Sequence, residues 1–387
     1  MEIGITGFGI MGPGFNNSDQ FRDILFNKSF VLKKENIFGK YTYLGRVLEE
    51  DIDISSYPKE FSHLPKTAKM LLHTAREAIK MANIELSKHR TAVLVGSSGG
   101  TISEIIKLND KKDRSPYTIG NMNNYSLSSS LSAAFGLNGM SFTLNNSCTS
   151  GMDAIHLAKI LLESNQVDVC LVGATDSTLE SLILGGFSDL RLLQLWREEG
   201  FPHGPFSKGK GFMISEGAGV LVLERADIPD REPSCIYGKI TRSLLTQDGL
   251  SAYRSDPLGK QLKCAIDYCI FENFPTYINS QALGIKRIDE LEAKLYRQKF
   301  KSTNIPITSI KGMVGHSMGA IGLFQIVSAL ISIRDNFIPP TLFCDTEQHP
   351  GVPIVTDVIF QLVEKVLITS QGYGGSNNCL MIEKGKS

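Results

Sequence analysis

The amino-acid sequence predicts an α/β fold, because short apolar strands alternate with longer amphipathic helices. Four segments are apolar over most of their length, as strands buried on both faces are. They lie at 3–6, 91–95, 167–172 and 218–223. Apolar residues recur at helical spacing in the segments 65–82, 150–164 and 319–333. Strands and helices interleaved in this order predict central sheets that are mainly parallel.

The chain of 387 residues is long enough for one large domain or two ordinary ones. The last strand of the first half ends near Glu224 and Arg225, and a polar join follows at 226–234. We therefore expect two apolar cores, one in residues 1–230 and the other in residues 231–387. The charged stretch 109–114 is expected to be a solvated loop.

Composition limits the possible partners and the compartment. The 40 basic and 40 acidic residues cancel, so no global field favours nucleic acid or an anionic membrane. The 7 cysteines are an odd number without Cys-x-x-Cys spacing, which indicates reduced thiols and no metal site. The start of the chain lacks the features of a signal peptide, and no apolar run approaches the roughly 20 residues of a membrane helix. We expect a cytoplasmic protein.

Cys148 is the most informative residue of the chain. It lies in a polar turn between a predicted strand at 140–144 and the predicted helix at 150–164. Free N–H groups and the helix dipole at such a position stabilise a thiolate, the form that attacks carbon. The alternative is a small apolar cysteine at the end of a strand, and the turn alone does not separate the two.

Two short motifs suggest other functions. The segment Gly7–Gly12 matches Gly-x-Gly-x-x-Gly, but Pro13 and Gly14 follow where a dinucleotide site needs a helix, so a tight turn after the first strand is preferred. The segment Gly315–Gly319 matches the nucleophile elbow of serine hydrolases. His349 is the only later histidine, and its spacing does not suit that class of enzyme.

Five ordered motifs together carry a resemblance to a known family. They are 148–151, 185–187 followed by Leu190, 205–219, 309–316 and 371–377. From Met1 to Lys384 the chain resembles the elongating β-ketoacyl-ACP synthases, in both their fatty-acid and type II polyketide branches. The resemblance implies a thiolase-like fold, in which two similar halves form αβαβα layers.

The resemblance also implies roles for individual residues. Cys148 would accept an acyl chain as a thioester, His316 would stabilise the enolate formed from a malonyl group, and Lys311 would help to fix His316. Phe187 would belong to the acyl-pocket loop, and Tyr373 with Gly374 to the loop that gates the thiol. No separate cofactor is expected, because the substrates are carried on the phosphopantetheine of an acyl carrier protein.

The sequence departs from the family pattern on the malonyl side of the site. Gln281 stands where the family has its first histidine, and Leu283 and Ile285 replace two threonines that would hydrogen-bond the phosphopantetheine arm. Gln325 stands where a glutamate pairs with the lysine, and Ser207 replaces an aspartate. We include Gln281 and Gln325 among the expected site residues.

These departures lead to two functional hypotheses. The first is a subunit similar to a chain-length factor, which forms a heterodimer with an active ketosynthase and shapes the acyl tunnel of that partner. The retained Cys148 is unusual for such a subunit. The alternative is an active ketosynthase or acyltransferase that uses Cys148, Gln281 and His316.

Overall fold

The computed structural model describes residues 2–111, 114–197, 200–228, 231, 235–271, 273–301 and 303–385. The strands are β1 Ile3–Met11, β2 Lys33–Ile37, β3 Lys40–Gly45, β4 Thr91–Gly96, β5 Ser141–Leu144, β6 Val169–Asp176, β7 Ile214–Ser215, β8 Gly217–Arg225, β9 Gly238–Gln247, β10 Tyr277–Asn279, β11 Ile307–Thr308, β12 Phe337–Ile338, β13 Ile359–Phe360, β14 Lys365–Gln371 and β15 Ser376–Lys384.

The α-helices are α1 Ser18–Phe26, α2 Lys66–Ala82, α3 Ile102–Lys111, α4 Thr118–Asn121, α5 Tyr125–Ala134, α6 Ser150–Glu163, α7 Ser181–Asp189, α8 Lys260–Ile270, α9 Lys286–Lys299, α10 Lys311–Val314 and α11 Ile321–Asp335. Short 3-10 turns lie at Glu49–Asp51, Lys59–His63, Leu86–Lys88, Met318–Ala320 and Thr346–Gln348. The predicted helices at 65–82, 150–164 and 319–333 correspond to α2, α6 and α11.

Two similar halves share one continuous sheet. Its strand order in the described part of the chain is β11-β10-β14-β15-β9-β1-β8-β6-β4-β5. If the five strands of each half are numbered along the chain, both halves have the spatial order third, second, fourth, fifth, first. The halves meet where β1 pairs with β9 at Gly4 and Ile5. The predicted fold class, a thiolase-like arrangement of two similar halves, is confirmed.

The prediction of a mainly parallel sheet is wrong. The parallel pairs are β10 with β11, β10 with β14, β4 with β6, and β4 with β5. The other five pairs of this sheet, among the described residues, are antiparallel. Burial on both faces makes a strand apolar throughout, so the sequence pattern does not report strand direction.

The core is layered. Helices α6 and α11 pack with one face of each half-sheet in the largest apolar cluster, which lies at the centre of the molecule. Helices α2 and α5 cover the outer face of the first half, and α8 and α9 cover the outer face of the second. This gives the predicted αβαβα order. The boundary at residue 230 stays a prediction, and most of the predicted join at 226–234 lies outside the described residues.

Within the described residues, one helical segment is long and apolar enough to cross a membrane by length and composition. It covers Met318–Asp335, and 89% of this stretch is buried inside the fold. The expectation that no apolar run approaches this length is therefore wrong for the segment that contains α11, which is mostly apolar because it is buried between the two half-sheets.

Two further local predictions need correction. The Gly7–Gly12 segment is not a turn, because β1 continues to Met11 and the turn is closed by the hydrogen bonds between Gly12 and Phe15. The predicted loop at 109–114 is helical as far as Lys111, where α3 ends, and residues 112 and 113 lie outside the described residues.

Candidate active site

The two halves place corresponding loops side by side. Cys148 follows β5, the third strand of the first half, and His316 follows β11, the third strand of the second half. A cavity of about 340 Å³ opens beside them. Its wall includes the side chains of Cys148, Phe187, Leu190, Phe212, Gln281, Leu283, Ile285, Arg287, His316, Met318, Gln371 and Tyr373.

Cys148 and His316 are in direct contact. The Nε2 atom of His316 lies 3.2 Å from Cys148 Sγ. The main chain fixes this histidine, because its N–H donates to the Met213 carbonyl at 2.8 Å and its carbonyl accepts from the Ser215 N–H at 3.1 Å. The Phe212 ring meets the imidazole edge to face at 5.3 Å. The predicted nucleophile and histidine are thus brought together.

The thiolate predicted for Cys148 is opposed by its surroundings. Burial raises the pKa of the Cys148 thiol to about 11, and this outweighs the smaller lowering effect of the Ser147 hydroxyl. The negative charge of Asp176 raises the pKa further. At neutral pH Cys148 is therefore a thiol, and the sequence alone did not reveal this because it does not report how far the sulfur is removed from water.

Burial also lowers the pKa of both neighbouring bases. It lowers the pKa of His316 to about 3, with a further contribution from the positive charge of Lys311. It lowers the pKa of Lys311 to about 7, although Glu292 and Asp289 oppose this shift. A neutral imidazole beside a thiol can accept the proton of that thiol, as acylation of a cysteine requires.

Gln281 follows β10 and is almost fully buried at 1% exposure. Its main-chain N–H donates to Thr369 Oγ1 at 3.0 Å, and its side-chain Nε2 donates to the main-chain carbonyl of Gln371 at 3.2 Å. The Oε1 atom has no hydrogen-bond partner. The amide therefore offers one remaining N–H and a free oxygen.

Two buried carboxylates hold the segment that contains Gln281. Asp289 accepts hydrogen bonds from the N–H groups of Leu283 and Gly284, each at 3.0 Å. Glu292 accepts from the Ala282 N–H at 2.9 Å and from the Ser280 hydroxyl. Both acids lie on α9, which begins directly after the segment. Their spacing in the sequence, three residues apart on one helix, allows both to face it.

A polar network missed in the sequence ties the cysteine turn to the start of β15. The Asp153 carboxylate on α6 accepts hydrogen bonds from Asn146 at 2.7 Å, Thr149 at 2.9 Å and Asn378 at 3.0 Å. Ser376 lies within 2.9 Å of Asn146 and within 2.7 Å of Thr149. An acidic residue on the apolar face of a predicted helix was the signal that could have revealed it.

The remaining predicted site residues divide into two groups. Phe187 and Tyr373 line the cavity, whereas Gly374 lines an adjoining surface groove. Lys311 and Gln325 are buried behind the wall. Lys311 Nζ donates to the Ser280 carbonyl at 3.1 Å, and Gln325 Nε2 donates to the same carbonyl at 3.2 Å. Substrate contact by Gln325 is thus not supported, because α11 places its side chain in the core.

The cysteine–histidine pair at the meeting of two similar α/β halves defines a thiolase-like acyl-transfer architecture. Residues 1–227 match the family described as beta-ketoacyl synthase, N-terminal domain, and residues 237–345 match its C-terminal domain. The chain belongs to the beta-ketoacyl synthase family, as the five motifs predicted.

Curated relatives match this chain over nearly its whole length. The tetracenomycin polyketide synthase ketoacyl synthase alpha subunit of Streptomyces glaucescens is 23% identical, over 100% of this chain and 97% of that protein. The 3-oxoacyl-[acyl-carrier-protein] synthase 2 of Coxiella burnetii is 26% identical, over 99% and 98%. A solved structure described as the ishigamide ketosynthase/chain length factor shares the fold, with a TM-score of 0.86, 20% identity and 99% coverage of both chains.

Proposed function

We propose that this chain is a chain-length-factor-like subunit of a type II fatty-acid or polyketide system. It pairs with an active ketosynthase and shapes the acyl tunnel of that partner. The observation that carries the proposal is the composition of the cavity wall beside Cys148, where Gln281, Leu283 and Ile285 occupy the side that would bind a malonyl thioester.

The cavity wall offers less to the enolate and to the carrier arm than the family pattern does. Losing one oxyanion donor costs about 10²–10³ in rate. Gln281 still has a second amide hydrogen, but its amide is held by the Gln371 carbonyl and is not a freely placed imidazole. Leu283 and Ile285 have no hydroxyl group to offer to a phosphopantetheine arm. Both deficits reduce condensation at this site.

Assembly with a second subunit is supported by the edge strand β5. It ends the long sheet in the described part of the chain, so its outer N–H and C=O groups are available to another strand. Phe142 on this strand is 49% exposed and adds apolar surface to this edge. The ishigamide structure is described as a ketosynthase together with a chain length factor.

An acyl carrier protein is the other proposed partner. Arg287 lies in the cavity wall, and Lys286, Arg254, Lys208 and Lys210 are exposed on neighbouring parts of the chain. Cations at the mouth of a thiol-containing cavity suit the phosphate of a phosphopantetheine arm. We assign the pair to the cytoplasm, as the composition predicts.

The first test measures carbon dioxide release from malonyl-ACP by the isolated protein. We expect a rate at least about 10²-fold below that of an elongating ketosynthase, because one oxyanion donor is lost. Gln281→His alone should restore little activity, because Leu283 and Ile285 still lack hydroxyl groups. A triple variant that combines Gln281→His with Leu283→Thr and Ile285→Thr should recover more decarboxylation activity than Gln281→His alone. A rate for the unmodified protein close to that of an elongating enzyme would refute the proposal.

A second candidate function is favoured by one observation. The 3.2 Å contact between Cys148 Sγ and His316 Nε2 is the geometry that acyl transfer needs. Under this alternative the chain loads an acyl group on Cys148 and transfers it with Gln281 and His316. Product formation by an assembled pair that carries Cys148→Ala separates the two functions.

A further inference from the structure

The side chain of Ser147 joins the turn that carries Cys148 to the loop 372–375, which lies between β14 and β15. Its hydroxyl oxygen accepts a hydrogen bond from the main-chain N–H of Tyr373 at 3.1 Å. An N–H group can only donate, so the hydroxyl proton is left for another acceptor. Cys148 Sγ lies 3.8 Å from the same oxygen and accepts that proton as a weak acceptor. One hydroxyl therefore contacts both the reactive sulfur and the loop beside it.

The backbone of the turn fixes the direction of this hydroxyl. Ser147 has a φ of 58°, in the left-handed region that residues other than glycine seldom adopt. Its carbonyl accepts from the hydroxyl of Ser150 at 2.6 Å and from the N–H of the same residue at 3.2 Å. A Cβ atom at Gly372 would lie 3.3 Å from the Ser147 Cβ atom, so the loop lies directly against the turn.

The other side of the loop is held by the end of β9. The side chain of Gln247 and the main-chain N–H of Asp248 donate to carbonyls of the loop at 2.7 Å and 2.8 Å. Tyr373 is 47% exposed and lines the Cys148 cavity. Loss of the bond to Ser147 would therefore free the Tyr373 side of the loop, while the side next to β9 stays in place.

We propose that Ser147 is a positioning residue whose hydroxyl holds Tyr373 over the cavity and thereby restricts Cys148 to slender, unbranched acyl groups. Ser147 belongs to the first half of the chain and Tyr373 to the second, so their bond closes the entrance between the halves. A broad group must move Tyr373 and break this bond before it reaches the sulfur, whereas a slender chain passes with the bond intact. The inference concerns access to this chain's own cysteine, and it does not depend on malonyl chemistry or on a partner subunit.

The test is a competition between two alkylating reagents at Cys148. The protein is treated with equal, limiting amounts of N-hexyl and N-cyclohexyl iodoacetamide, which share the reactive group and the number of carbon atoms but differ in width. Each reaction forms one S–C bond and releases iodide and a proton. Both reagents attack the same sulfur, so the product ratio does not depend on its thiolate fraction. Peptide mass spectrometry gives the ratio at Cys148 and at the exposed Cys264, which serves as an internal reference.

In the unmodified protein, we expect a lower cyclohexyl-to-hexyl ratio at Cys148 than at Cys264. Ser147→Ala should raise the ratio at Cys148 by about two- to tenfold, which is the range for the loss of one neutral hydrogen bond. Ser147→Gly should raise it equally. Glycine relieves the left-handed strain that alanine retains, so agreement between the two variants assigns the effect to the hydroxyl.

Ser251→Ala is the matched control. The Ser251 hydroxyl also accepts from a tyrosine N–H, that of Tyr253, at 3.1 Å, but this bond lies within one loop and does not join the two halves. The ratio at Cys148 should therefore stay unchanged in this variant.

Three results would overturn the proposal. The first is an equal ratio at Cys148 and Cys264 in the unmodified protein, and the second is a ratio at Cys148 that rises in neither or in only one of the two Ser147 variants. The third is a Cys148 that reacts with neither reagent, because the entrance would then not admit a slender chain.

Discussion

At the scale of single residues, the cysteine–histidine pair consists of two neutral groups. Cys148 has a pKa raised to about 11 and His316 one lowered to about 3, so a thiol faces an imidazole at neutral pH. Acylation of Cys148 then needs its proton to move to His316 Nε2 across a contact of 3.2 Å. The chemistry depends on this contact rather than on a preformed thiolate.

The pH dependence of alkylation tests this description. Below the pKa of a thiol, the thiolate fraction rises tenfold per pH unit. With a pKa of about 11, the rate at which iodoacetamide modifies Cys148 should rise about tenfold with each pH unit from pH 7 to pH 10. Peptide mass spectrometry at each pH gives the rate. A rate that is already constant below pH 8 would show that the helix start does stabilise a thiolate.

Sequence reasoning located Cys148, His316 and Gln281, because each lies in a motif with a recognisable order and spacing. It did not reveal the Asp153 network, since this depends on side chains that meet across the two halves. It also did not place Gln325, which faces the core. Which side of a buried helix meets a cavity is decided by packing and not by the sequence pattern alone.

At the scale of elements, the pseudo-symmetric halves explain how the site forms. The loops after the third strand of each half lie together, and they carry Cys148 and His316. The apolar runs in the sequence predicted β4, β6 and β8 near their observed bounds. They did not predict strand direction or the full length of β1, because Gly7 and Gly9 suggested a turn. These glycines instead allow α2 to lie against the strand.

The close approach of α2 to β1 gives a stability prediction. A Cβ atom at Gly9 would lie 2.1 Å from the Thr74 carbonyl oxygen, which is backbone and cannot turn away. Gly9→Ala should therefore lower the free energy of unfolding by about 1–3 kcal/mol. Gly186→Ala is the control, because its Cβ would meet nothing within 4 Å. It should be neutral or stabilising by up to about 1 kcal/mol. Thermal unfolding of both variants measures the difference, and equal effects would contradict the packing argument.

At the scale of the whole molecule, the exposed edge of β5 supports the proposed pairing of the folded chain with another subunit. Interfaces that join two such sheets commonly bury more than about 2,000 Å² and are obligate. Alone, the chain should form a homodimer or be poorly soluble. With a complete ketosynthase, the same edge would join the two chains, and residues of this chain would then lie against the tunnel of the partner.

Assembly through β5 can be tested by placing a charge on its exposed apolar residue. Phe142→Asp should increase the monomer fraction, because a carboxylate buried at an interface without a partner is costly. Phe360→Asp, on the two-stranded sheet of β12 and β13, is the matched control because Phe360 is 70% exposed. Light scattering after size-exclusion chromatography reports the oligomeric state. An unchanged dimer for Phe142→Asp would exclude β5 as the contact.

The last prediction separates a structural from a catalytic role in the assembled pair. If this chain only shapes the tunnel, Cys148→Ala should leave product formation by the reconstituted pair largely intact, because the thioester forms on the cysteine of the partner. Bulky substitutions on the surface that meets the partner should instead shorten the product, since they fill the tunnel. Product length and yield are measured by mass spectrometry. If Cys148→Ala abolishes the product while the pair still assembles, acyl transfer through Cys148 and His316 is the function, and the geometry of that contact would then be its cause.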